Sequence, residues 1–111
     1  MAIAHARSGE VVDVSPFGRR LADEKTSALF KANDLEVMRV VLRAGKSLPP
    51  HKVAGEITIQ CIEGAVVVSE GNDQHTLRAG QLLYLRGGIV HGVTALEDSS
   101  ALVTVALARS G

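Results

Sequence analysis

Residues 80–91 read GQLLYLRGGIVH, and this stretch decides the fold. A glycine turn leads into the short apolar run Leu82–Leu85, a Gly87-Gly88 turn follows, and His91 stands at the opening of the next run, Val90–Ala95. A tight turn fixes how a strand is entered, and alternation along the strand fixes which way the ring points. Upstream, His51 precedes another apolar run, Ile57–Ile62, about forty residues before His91. Two histidines so placed in a β-rich chain predict a pocket with polar groups at one end.

Working outward, strand-like runs recur at Val11–Val14, Ala28–Phe30, Leu35–Arg43, Ile57–Ile62, Ala65–Ser69, His75–Leu77, Leu82–Leu85, Val90–Ala95 and Ala101–Ala108. Turn signals fall between them at Asn33-Asp34, Ala44-Gly45, Pro49-Pro50, Glu63-Gly64, Gly71-Asn72-Asp73, Ala79-Gly80 and Gly87-Gly88. Short strands closely punctuated by Gly, Pro, Asn and Asp are the mark of an all-β sandwich or barrel. ALVTVALA at 101–108 has helical composition, but its β-branched centre and its length favour a strand. The single helix expected is one or two turns over Pro16–Asp23, with Ser15 as cap and Pro16 first inside. In Ile57–Ile62 the apolar set Ile57, Ile59 and Cys61 should face the core, leaving Thr58 and Gln60 on the other face.

The length of 111 residues suits one domain, spanning 1–111, with a barrel core at about 35–108 and loose tails at 1–10 and 109–111. Hydrophobic residues make up 46% but aromatics only 3%, so the core must be built from Val, Leu, Ile and Ala. Twelve basic residues balance twelve acidic ones, and three aromatics offer few stacking platforms, which argues against a nucleic-acid partner. No run approaches the roughly twenty apolar residues needed to span a bilayer. The opening MAIAHARSGEVV lacks the apolar segment of a signal peptide, so the expected location is cytoplasmic. Cys61, the one cysteine, has no internal disulfide partner and reads as a core residue.

From Gly45 to Ala95 the chain resembles the cupin family, in particular its small single-domain bacterial members of the RmlC-like kind. The family's first motif is a glycine, five residues, His-x-His, three or four residues, a glutamate, six residues and a glycine. Here Gly45, His51 and Gly64 match, whereas Val53 stands at the second histidine and Ile57 at the glutamate, with Glu56 one residue early. A shift of one residue turns Glu56 away from the barrel interior unless a bulge intervenes. The second motif is a glycine, five residues, Pro-x-Gly, two residues, a histidine, three residues and an asparagine. Gly80, Gly88 and His91 match it, while Arg86 replaces the proline and Ala95 the asparagine.

The resemblance implies a double-stranded β-helix, or jelly-roll barrel, and an association into homodimers. It also implies a metal site of three histidines and one glutamate, of which only His51 and His91 carry over to this chain. The candidate cofactor is a divalent transition metal, Zn, Fe, Mn or Ni, with Glu56 or His75 as additional donors. Two imidazoles alone leave such an ion short of the three or four protein ligands that tight sites use.

Two functions follow as expectations. One is a binding or sensing module whose aliphatic pocket (Val53, Ile57, Ile59) receives a small organic ligand beside His51 and His91. The other is a metal-dependent oxygenase or isomerase with an incomplete site. Outside that pocket, His75 reads as a hairpin histidine and Arg86 as a turn residue. Tyr84, on the face opposite Leu83 and Leu85, is expected to pack in the core or at an interface. Arg39 interrupts the apolar face of Leu35, Val37 and Val41, and is expected at an interface or as an anion clamp in the pocket.

Overall fold

A computed structural model describes residues 5–107. Among the described residues nine strands form: β1 (Ser27–Lys31), β2 (Leu35–Leu42), β3 (Ser47–His51), β4 (Ile57–Glu63), β5 (Ala65–Glu70), β6 (Asp73–Arg78), β7 (Leu82–Leu85), β8 (His91–Ala95) and β9 (Ser99–Ala106). They make a five-stranded sheet in the order β1-β2-β9-β4-β7 and a four-stranded sheet in the order β3-β8-β5-β6. All the pairings are antiparallel. Apart from the hairpins β1–β2 and β5–β6, successive strands cross between the sheets, the connectivity of a jelly-roll barrel. Among the described residues no helix is long and apolar enough to cross a membrane.

Alternation puts one set of side chains from each sheet inside. Ile57, Ile59 and Cys61 of β4 are buried, with Thr58 and Gln60 on the opposite face, as the parity of the run requires. They meet Val66 and Val68 of β5, Leu77, Leu85, Val93, Ala95 and Ala101. Cys61 sits wholly within this cluster, and burial pushes its thiol up from the ordinary range.

Three elements differ from the sequence reading. Val11–Val14 forms no strand, and Val11 is fully exposed, because those residues find no partner edge. Conversely, SLPPH at 47–51 is a strand although Pro49-Pro50 signals a turn. It lies at a sheet edge, pairing with β8 alone, and its register shifts between Leu48 and His51, where the prolines have no N–H to give. The helix is a two-turn 3-10 helix at Gly18–Asp23, preceded by Phe17 with no side-chain cap. Ser15 is engaged elsewhere: its N–H and hydroxyl both donate to the Asp13 carboxylate. Strand β9 ends at Ala106, and the expected loose residues 1–4 and 109–111 lie outside the described residues, as does Ala108. Within the front tail, the Ala6 N–H donates to the Leu29 carbonyl.

Arg39 is neither in the pocket nor exposed for an interface. It is 2% exposed, on the outer face of the five-stranded sheet beneath the segment that carries Ser15 and Phe17. Its Nη2 donates to the Ser15 carbonyl at 2.9 Å, to Ser100 Oγ at 3.0 Å and to Glu63 Oε2 at 3.2 Å. The guanidinium lies 4.0 Å from the Phe17 ring centroid, a cation–π stack. Glu63 also accepts from the Phe17 and Gly18 backbone N–H groups and from the Ser100 hydroxyl. The apolar alternation was broken at Arg39 to anchor the chain's own N-terminal segment.

Candidate functional site

The loop 52–56 carries the chain from the end of β3 to the start of β4, so His51 and Ile57 share one end of the barrel. Antiparallel pairing brings the start of β8 to the same end, with His51 directly opposite His91. Opposed residues on adjacent strands project to the same face. The two ring centroids are 4.6 Å apart, with the planes tilted by 48°. His91 is buried, whereas His51 is exposed at the rim.

Each ring is fixed by the same local device. His51 Nδ1 is 3.2 Å from the Pro49 carbonyl, and His91 Nδ1 is 3.2 Å from the Ile89 carbonyl. A carbonyl oxygen can only accept, so in the neutral rings both Nδ1 atoms carry the proton and both Nε2 atoms keep a lone pair. Among the described residues, neither Nε2 has a protein hydrogen-bond partner.

These rings stand at a cavity of about 470 Å3 between the sheets. Its wall includes Val53, Ile57 and Ile59, the positions named from sequence, together with Leu48, Val93 and Val103. Sequence reasoning missed the contribution of β2, whose Glu36, Met38 and Val40 also line the cavity. Parity ties these three residues to one face, but only the outward placement of Arg39 shows that this face turns inward. Glu36 opposes Val105 on β9, and Val105 in turn opposes Ile57 on β4, so all three lie in one row across the sheet at the mouth.

Other candidate residues are placed elsewhere. Glu56 turns outward, where its Oε2 accepts from the exposed Tyr84 hydroxyl at 2.5 Å. His75 Nε2 lies 2.8 Å from Glu70 Oε1, and neither residue lines the cavity. Arg86 is exposed and likewise off the cavity wall.

The donor set does not fit the metal centre that the sequence resemblance implies. Val53 and Ile57 occupy two of the four ligand positions, and Glu56 is committed to Tyr84. Among the described residues no group of three or more His, Cys, Asp or Glu is arranged to hold a metal ion. Two imidazoles with aliphatic neighbours are better suited to hydrogen bonding than to closing a coordination shell.

The cupin domain family model matches residues 38–107, most of the barrel, and the chain belongs to the cupin family. Solved structures agree on the fold. A conserved protein of unknown function from Streptococcus pyogenes superposes with a TM-score of 0.76 at 19% identity, covering 99% of this chain and 97% of that one. A cupin superfamily protein from Desulfitobacterium hafniense gives 0.76 at 13% identity, over 93% and 100% of the two chains. An RmlC-like cupin with a double-stranded β-helix fold from Methanocaldococcus jannaschii gives 0.71 at 18% identity, over 89% and 94%. No curated protein matches the chain significantly in sequence.

Proposed function

We propose that the barrel cavity binds a small organic molecule, with the apolar body of the ligand inside and its polar group at His51 and His91. The observation that carries this reading is an aliphatic cavity of about 470 Å3 whose mouth holds two oriented imidazoles with free Nε2 atoms. Concave, mostly apolar sites with a few convergent polar groups are what small ligands use. A ligand burying about 200 Å2 of apolar surface gains about 5 kcal/mol before the costs of ordering are met. The two-donor metal set turns the reading away from a metal-dependent oxygenase or isomerase.

The test uses the neutral fluorophore N-phenyl-1-naphthylamine and the cavity-filling variant Val103→Phe. The native protein should bind the dye with a blue-shifted, enhanced emission. The variant, once its native circular dichroism is verified, should lose at least tenfold in affinity. Undiminished binding by the filled variant would place the dye elsewhere and defeat the proposal.

The working form is further proposed to be a homodimer. Leu82 and Tyr84 stand 60% and 57% exposed on β7, one of the two edges of the five-stranded sheet. An apolar edge strand of this kind is hidden by pairing with a second copy.

A further inference from the structure

Resting on the small-ligand reading, we infer that Glu36 makes this cavity selective for organic cations, specifically amines with an apolar body and a second hydrogen-bond donor. Three polar side chains line the cavity among the described residues: Glu36, His51 and His91. In the neutral rings, all three offer the ligand acceptors. The histidine Nδ1 protons are spent on the Pro49 and Ile89 carbonyls, leaving the Nε2 lone pairs, and a carboxylate only accepts. Among the described residues no lysine or arginine lines the wall.

Glu36 is half-buried and makes no hydrogen bond or ion pair within the structure's described residues. Its cross-strand neighbour on β1 is Lys31, which is exposed and forms no ion pair with it. A half-buried carboxylate with no ion-pair partner among the described residues repels an anionic ligand and attracts a cation, more strongly than it would in water. The geometry adds a span. Glu36 projects from the five-stranded sheet and the imidazoles from the four-stranded one, so the carboxylate and the Nε2 lone pairs reach the cavity from opposite walls. A molecule with an ammonium group at one end and a hydroxyl at the other can meet both walls at once. Its ammonium pairs with Glu36, its hydroxyl donates to an Nε2, and its apolar body lies along Met38, Val103 and Val105.

The experiment compares three probes built on one para-substituted phenol: tyramine, 3-(4-hydroxyphenyl)propionate and 4-ethylphenol, each competing against N-phenyl-1-naphthylamine. Tyramine should bind at least tenfold more tightly than the propionate. Glu36→Gln should erase that preference while changing the affinity for neutral 4-ethylphenol by less than twofold. Equal or tighter binding of the propionate overturns the inference, as does a Glu36→Gln variant that weakens all three probes alike. If the dye binds in the cavity and the preference is absent, charge selectivity alone is wrong. If neither the dye nor any phenol binds, the small-ligand reading falls with it.

Discussion

Glu63 shows how a single side chain can hold a segment in place. Burial pushes its carboxyl up, but the hydrogen bonds from Ser100, Phe17, Gly18 and Arg39 outweigh that and hold it below its ordinary value of 4.5. A folded-state value below the unfolded one stabilises the native state above pH 4.5, and the contribution is lost as pH falls toward the folded-state value. Glu63→Gln should therefore cost about 1–3 kcal/mol at pH 7 in urea unfolding. The gap from wild type should close on acidification; a pH-independent gap would mean that the charge is irrelevant. Cys61 makes a second residue-scale case. Its buried, upward-shifted thiol should resist iodoacetamide in the native protein at pH 8 and react once urea is added, as mass spectrometry would read. The role of Cys61 was legible from its apolar neighbours. That of Arg39 was not, because a charged residue in an apolar alternation does not say whether its partner is another chain, a ligand or, as here, the chain's own Phe17 and Glu63.

At the scale of elements, turn chemistry and period-two alternation made most strands legible, and one glycine shows why the turns are fixed. Gly64 joins β4 to β5 with φ at +80°, and a Cβ there would stand 2.2 Å from Ser99 Oγ and 2.3 Å from the Asp98 carbonyl. Gly80 has a similar φ of +91° but open space around it. Gly80→Ala should thus incur only the left-handed backbone cost of about 1–2 kcal/mol. Gly64→Ala should cost at least about 2 kcal/mol more, lowering Tm by roughly 8 °C beyond the first variant. Equal losses by thermal melting would show that the close approach to Ser99 is slack. What the sequence hid was β3, since an edge strand tolerates prolines that read as a turn. It also hid the end of the Val11–Val14 run, whose β propensity finds no ladder to join. Both depend on which strand lies next door, and local sequence does not carry that information.

Across the whole molecule, the pairing of His51 with His91 arises from a topology that brings β3 and β8 together from distant parts of the chain. The motif spacing made those two rings legible; Glu36 was hidden because its role depends on which face of β2 turns inward. The exposed β7 edge belongs to this scale too. Sedimentation velocity should show a dimer for the native protein and a monomer for Leu82→Glu, whose charge would sit on that edge; an unchanged dimer would move the interface elsewhere. Entry of a small molecule between the sheets, beneath the paired imidazoles, can be read by isotope-filtered nuclear Overhauser spectroscopy with N-phenyl-1-naphthylamine. Contacts should run from the dye to the His91 ring and to the methyls of Ile59 and Val103. Contacts confined to the surface residues Leu82 and Tyr84 would contradict it.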